Sequence, residues 1–381
     1  MGSESSEQSA KADLQTISAV ARKDVRSTVT PQPGIGAYDS SRPAVLLAGA
    51  VAFTAGTPFR AANSRDETTP ANGIGRVSNS KDTMQPDAAL KGFDYRRITT
   101  SGATINVASR GKGPPLLLLH GYPETHHMWH KVAPSLADEF TVVCADLRGY
   151  GDSSKPEGAP DHSNYSKRAM ATDMIEVMAA LGHREFLLAG HDRGGRVAYR
   201  LALDHPGAVK RLALLDIVST KAVYEQVTMP LATAYFHWYF LIQPRPVPET
   251  LIGHDPGFWL SAIFGRLSAS SPTAFSDATV AEYLRAFGTP EGIHASCEDY
   301  RAGATVDLVS DRADVSAGRK ITCPTLILWG AHSVVGRIFR PLETWRDLVA
   351  SPTGEAIDSG HFIPEEQPEE ALHALRAFLR S

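Results

Sequence analysis

The chain is 381 residues long, with 43% hydrophobic, 21% charged and 8% aromatic residues, an ordinary globular composition. Thirty-eight Lys and Arg stand against 42 Asp and Glu, a formal net charge of −4. The basic excess of a nucleic-acid binder or a polybasic membrane anchor is therefore missing. Cys144, Cys297 and Cys323 are too few and too scattered for a disulfide framework or a zinc site. No apolar run reaches the roughly 20 residues that a membrane-spanning helix needs.

Residues 1–92 are rich in Ser, Ala, Thr, Gly, Pro and Asp and poor in aromatics. Such a segment buries too little apolar surface to offset its ordering entropy, and it reads as a low-complexity N-terminal extension. Within it, Ala44–Gly56, preceded by Arg42-Pro43 and followed by Ala61-Ala62, is similar to the apolar region of an export signal. The other reading is an Ala-rich stretch with no address. The compartment is cytoplasmic on that reading, and periplasmic if residues 41–62 direct export.

From Phe93 onward, short apolar runs alternate with helix-length segments. Leu116–Leu119, Phe140–Cys144, Phe186–Ala189, Leu212–Leu215 and Thr325–Leu328 each read as a buried strand, with a last one near Glu355–Ile357. Ala169–Leu181 and Arg193–Leu203 have helical periodicity. All-apolar strands separated by helices predict an α/β architecture, a mostly parallel sheet covered on both faces. Open sheets of this kind place their chemistry at the C-terminal strand ends. The rhythm stops over residues 218–321, where aromatics and prolines concentrate. A hundred residues are too many for a loop and predict a helical lid over those ends. Residues 93–217 and 322–381 are then the core.

The strand ends carry the polar residues. The third run finishes as Gly190-His191-Asp192-Arg193-Gly194-Gly195, a strand followed by Gly-X-nucleophile-X-Gly. That is the sharp elbow in which small residues let strand and helix approach while the central side chain is pushed out. Here the central residue is Asp192 rather than a serine. Asp216 closes the Leu214-Leu215-Asp216 strand, and His361 follows the last one. The backbone N–H groups of Tyr122, after the first run, and of Arg193 are placed to form an oxyanion hole.

These stretches resemble the α/β-hydrolase superfamily over residues 93–381, and within it the fluoroacetate dehalogenases. The resemblance is carried by HGYPETHHMWH (120–130), ADLRGYGDSSKP (145–156), GHDRGGR (190–196), LLDI (214–217), HW (237–238), CEDYRAGA (297–304) and GHFIPEE (360–366). It implies an α/β-hydrolase fold and a homodimer. It also implies a halide pocket of His237, Trp238 and Tyr300, whose N–H, N–H and O–H would receive a departing halide. Taken alone, Trp238 reads as a core aromatic and His237 as an ordinary buried histidine.

The chemistry also follows from the residues. An aspartate attacking an acyl carbon would give a reactive anhydride, whereas attack on a saturated carbon gives an alkyl ester that water can open. An Asp elbow with a histidine therefore points to displacement of halide or opening of an epoxide. His361 is the candidate general base for the hydrolytic step, with Asp216 orienting it. The other usual place for that acid, Trp329–Gly336, holds no carboxylate. Arg193 and Arg196 start a helix three residues apart and form a candidate clamp for a substrate carboxylate, the other reading being that they only neutralise Asp192 or pair with acids of the lid. The expected substrate is thus a short 2-haloacid, with water as co-substrate and no cofactor.

An epoxide hydrolase is the alternative, with Tyr224, Tyr235 and Tyr239 available beside Tyr300, but it gives the arginine pair no purpose. A non-catalytic small-acid-binding protein of the same fold is a third reading. His126 and His130 have the spacing of a metal pair but no third ligand, and no metal is expected. His191 is expected to support the elbow by hydrogen bonding.

Overall fold

A computed structural model describes residues 77–78, 90–269 and 274–381. The candidate export segment at 41–62 lies outside the described residues. The apolar runs all become strands of one sheet. Its edge is β1 (Val77–Ser78), β2 (Asp94–Thr99) and β3 (Thr104–Arg110). Its body is β4 (Pro115–Leu119), β5 (Thr141–Ala145), β6 (Phe186–His191), β7 (Val209–Leu215), β8 (Thr325–Gly330) and β9 (Pro352–Ile357). The order is β1-β2-β3-β5-β4-β6-β7-β8-β9. Strands β4 to β9 pair in parallel, while β1, β2 and β3 are joined antiparallel. The central strands are apolar throughout because helices cover both faces: Leu116–Leu119 and Leu212–Leu215 have no exposed surface.

The edge strands β1 to β3 were not anticipated from the sequence. In β2, Asp-Tyr-Arg-Arg-Ile-Thr keeps only Ile98 fully buried. A strand wetted along most of its length gives no apolar run to find. The described fold also reaches slightly ahead of Phe93, for Leu90 is buried and its N–H donates to the Tyr95 hydroxyl at 2.8 Å.

Helix α1 (Lys167–Ala180) precedes β6, and α2 (Asp192–Asp204) follows it. Helix α1 starts where the Ser166 hydroxyl accepts from the Ala169 N–H, satisfying an otherwise orphaned donor. The described part of the segment between β7 and β8 is largely helical, and three of its prolines begin helices. Pro230, Pro256 and Pro290 each sit in a first turn behind a capping Thr228, Asp255 or Thr289. Two of its helices bear on the strand ends, α3 (Phe236–Leu241) and α4 (Pro290–Ala302). Buried ion pairs tie the insert to the core. Arg200 of α2 donates to Asp314 at 2.5 Å and to Asp311 at 2.9 Å.

The chain crosses over at β4 and β6. From β4 it moves outward to β5, then returns past β4 to β6, so the C-terminal ends of β4 and β6 face a crevice that no connection fills. Register brings the other ends to the same level, with Leu119 opposite Gly190, His191 opposite Leu215, and Leu215 opposite Leu328.

Candidate active site

The turn from β6 into α2 is built by its glycines. A Cβ at Gly190 would lie 2.6 Å from the Gly194 carbonyl oxygen, and one at Gly194 would lie 2.4 Å from the His120 carbonyl oxygen. Both contacts are impossible for a larger residue. The Gly194 N–H donates to that same His120 carbonyl at 2.8 Å, locking α2 against the end of β4. Asp192 is left at φ +44°, a left-handed conformation that a side chain other than glycine adopts only under constraint. Its carboxylate consequently projects into the crevice.

Five neighbours define the state of that carboxylate. The Tyr122 N–H donates to Oδ1 at 3.0 Å. His361 Nε2 lies 3.8 Å from Oδ2, close but not hydrogen-bonded. Burial pushes the Asp192 pKa up, but His361, Arg193, His191 and Arg196 together outweigh it and hold the group at about 2. The side chain is buried and ionised. Among the described residues the Tyr122 N–H is the backbone donor that reaches the Asp192 carboxylate, and no bond from the Arg193 N–H to it is formed.

His361 is fixed from behind. Its Nδ1 donates to Asp216 Oδ2 at 2.6 Å, which turns Nε2 toward Asp192. Asp216, itself at φ +48°, accepts on Oδ1 from the Gly330 N–H at 2.9 Å and the Ser333 hydroxyl at 2.6 Å. The insert contributes as well, because the His361 N–H donates to the Leu267 carbonyl at 2.9 Å. Gly330, Ser333 and Leu267 carried no signal in the sequence. Their parts are played by backbone groups or by a hydroxyl in a turn.

The arginine pair is buried beside Asp192 but is not symmetrical. Arg193 makes a bidentate pair with Asp299 of α4, Nε to Oδ2 at 2.9 Å and Nη2 to Oδ1 at 2.8 Å. Arg196 donates through Nη1 to the Val218 carbonyl at 3.0 Å and to Thr220 at 3.1 Å, and it forms no ion pair among the described residues. Arg193 Nη1 and Arg196 Nε are buried and have no partner. Both guanidiniums lie over Trp238, with Cζ 5.4 and 4.4 Å from its ring centroid.

Helices α3 and α4 bring His237, Trp238 and Tyr300 together. The Tyr300 ring stands edge-on to His237 at 5.9 Å and to Trp238 at 5.5 Å, and Tyr122 packs beside it at 5.2 Å. Burial pushes His237 down to about 3 and Tyr300 well above its ordinary value, so one is a neutral imidazole and the other a phenol. Of the other tyrosines, Tyr235 stacks on Trp238 at 5.7 Å, while the Tyr224 and Tyr239 hydroxyls are buried without partners. His126 donates to Asp146 at 2.9 Å, and His130 stacks on His127 with centroids 4.4 Å apart. Among the described residues no cluster of His, Cys, Asp and Glu is arranged to hold a metal ion.

Glu124 is a residue that sequence reasoning missed. His191 donates from Nδ1 to Glu124 Oε2 at 3.1 Å and from Nε2 to the His361 carbonyl at 2.9 Å. Both partners are acceptors, so both nitrogens carry protons. Burial alone would lower the His191 pKa, but Glu124 and then Asp192 raise it to about 9. His191 thus braces the histidine backbone and adds a positive charge behind Asp192.

The family of the alpha/beta hydrolase fold matches this chain over residues 114–368. A fluoroacetate dehalogenase of Burkholderia sp. is 47% identical over 291 residues, which cover 76% of this chain and 95% of that protein. A soluble epoxide hydrolase of Corynebacterium sp. is 35% identical over 278 residues, covering 72% and 93%. Among solved structures, a putative alpha/beta hydrolase from Nostoc sp. superposes with a TM-score of 0.75 at 52% identity, covering 76% of this chain and 99% of that one.

The His191–Glu124 pair makes a pH-dependent contribution to stability. His191 has its pKa raised from 6.5 to about 9, so the contribution is complete below 6.5 and is lost as pH rises through about 9. Denaturant unfolding at a series of pH values should show this alkaline decline in the native chain and a much flatter one in Glu124→Gln. Equal slopes in the two proteins would contradict the pairing.

Proposed function

Because the chain belongs to the α/β-hydrolase family, we propose that it is a hydrolytic dehalogenase of short 2-haloacids such as fluoroacetate. The observation that carries this reading is the pair of unpartnered donors, Arg193 Nη1 and Arg196 Nε, buried beside an ionised Asp192. Buried guanidinium N–H groups are normally satisfied, and a substrate carboxylate would satisfy these. The similarity to a fluoroacetate dehalogenase supports the same substrate class.

In the first step Asp192 Oδ2 attacks the carbon that bears the halogen. The new C–O bond forms as the C–X bond breaks, and the halide leaves with the electron pair. His237, Trp238 and Tyr300 donate to the leaving halide, and their neutrality lets them do so without competing for the substrate carboxylate. Fluoride is a poor leaving group, so such donors matter most for it. In the second step His361 Nε2 takes a proton from water, which attacks the ester carbonyl carbon of Asp192. The Tyr122 N–H, already on Oδ1, stabilises the oxyanion there, with the Arg193 N–H as the second donor. On collapse the protonated His361 returns its proton to the departing alkoxide oxygen, which releases the 2-hydroxy acid, and the Asp192 carboxyl gives its remaining proton to solvent to restore the carboxylate. The 3.8 Å between His361 and Asp192 supports a histidine that acts on water rather than on the nucleophile.

Residues 218–321 serve as the lid of this site over a core of 93–217 and 322–381, to which the Val77–Ser78 strand and Leu90 also belong. The active species is a homodimer. Six of the seven exposed large apolar residues among the described ones, including Met229, Leu251 and Phe258, lie on the lid and give a second copy a surface to cover. Sedimentation velocity should therefore find twice the chain mass of 41.0 kDa, and a monomer at micromolar concentration would contradict the dimer.

The epoxide-hydrolase reading shares the elbow and has a relative at 35% identity. It leaves the unpartnered Arg193 Nη1 and Arg196 Nε without a ligand, since an epoxide carries no charge. A halide-release assay separates the two. The native chain should release one halide per fluoroacetate or chloroacetate consumed, and Asp192→Asn none. Arg196→Gln should raise KM by about tenfold or more, far beyond its effect on a neutral halide. Diol formation from styrene oxide without any halide release would overturn the assignment.

A further inference from the structure

Asp299 has no part in the chemistry above, yet it is fully buried and accepts from four donors. Its Oδ1 takes Arg193 Nη2 at 2.8 Å and Lys167 Nζ, and its Oδ2 takes Arg193 Nε at 2.9 Å and the Tyr150 hydroxyl at 2.6 Å. The Asp299 backbone carbonyl accepts a further bond from Arg193 Nη2 at 2.9 Å. The guanidinium is enclosed on its remaining sides as well. The Tyr300 ring covers one face, 4.1 Å from Cζ, and a Cβ at Gly303 would come within 3.3 Å of Nη2. A planar fork whose Nε and Nη2 are both engaged has its third nitrogen aimed by geometry. That nitrogen, Nη1, is the one left buried without a partner.

We infer that Asp299, itself held by Lys167 and Tyr150, is a positioning residue that aims Arg193 Nη1 at the substrate carboxylate and so sets the affinity of the site for short haloacids. This rests on the carboxylate-clamp reading of Arg193 and Arg196. The holders come from different parts of the chain. Tyr150 follows β5, Lys167 opens α1 and Arg193 belongs to α2, whereas Asp299 lies on α4 of the insert. The insert therefore completes the clamp from behind while its Trp238 and Tyr300 line the front. Burial by itself would raise the Asp299 pKa, but Arg193 and Lys167 hold it well below the usual carboxylate range, so the anchor is ionised.

A merely structural tie between insert and core would have a different signature. Loss of the tie would lower stability and turnover together, whereas loss of aim weakens the substrate interaction made in both ground and transition states. Steady-state kinetics with chloroacetate should show Asp299→Asn raising KM by about tenfold or more with kcat within about threefold. Asp299→Asn leaves Lys167 and Arg193 short of a charge and can fail to fold. Gly303→Ala is the second variant, because Gly303 has helical backbone angles and its new methyl presses only on the guanidinium. It should raise KM by about threefold at an unchanged melting temperature.

KM within about twofold of native in every variant that folds would overturn the inference, as would parallel loss of kcat and stability with KM unmoved. A calorimetric titration of chloroacetate into Asp192→Asn, with and without Asp299→Asn, reads the anchor without turnover. Weaker binding in the double variant supports it even if the native chain releases no halide, in which case only the proposed reaction fails. Equal binding overturns it.

Discussion

The site depends on keeping one buried carboxylate charged. Taking an ion out of water costs several kcal/mol after relaxation, and a carboxyl group left alone in the crevice would protonate and lose its charge. Asp192 escapes this because Arg193 and Arg196 from α2 and His191 from the end of β6 bring positive charge to it, while the His361 ring from beyond β9 faces it. Three of these four residues have a counter-group of their own. Glu124 serves His191, Asp216 serves His361 and Asp299 serves Arg193. Much of the buried polar machinery thus follows from the demand that Asp192 stay ionised.

The sheet makes this possible. The crossover at β4 and β6 opens a crevice at their C-terminal ends, and parallel register brings Tyr122, Asp192 and Asp216 to one edge. The glycine contacts of the elbow set how close α2 can come, and hence how far Asp192 projects. The helical insert then covers the crevice and supplies Trp238, Tyr300 and Asp299. A small charged substrate enclosed in this way meets fixed dipoles in place of water, the arrangement in which donors are most effective.

The parts legible in the sequence were those with a strong local pattern. All-apolar strands, two periodic helices and the Gly-X-Asp-X-Gly elbow can be read directly, and the strand ends led to Asp216 and His361. The antiparallel edge was not legible, because β2 alternates too weakly to separate it from a loop. The partners of the site side chains were hidden for another reason. Asp299 stands beside Tyr300 in the CEDYRAGA stretch with no pattern to single it out, and Lys167 looks like any charged residue at a helix start. Nothing local shows that Lys167 Nζ and Arg193 meet on one carboxylate. Such pairings belong to tertiary structure, where elements far apart in sequence share one buried charge.

In the proposed reaction Asp192 becomes covalently attached to the substrate carbon. A single turnover in heavy-oxygen water, with enzyme in excess over chloroacetate, tests it most directly. If the ester is opened at the Asp192 carbonyl, mass spectrometry of the peptide containing Asp192 will find the heavy oxygen in its carboxylate, and the first-formed 2-hydroxy acid will carry the ordinary one. Heavy oxygen in the product, with an unlabelled Asp192, would mean that water attacks the substrate directly, and would contradict the account.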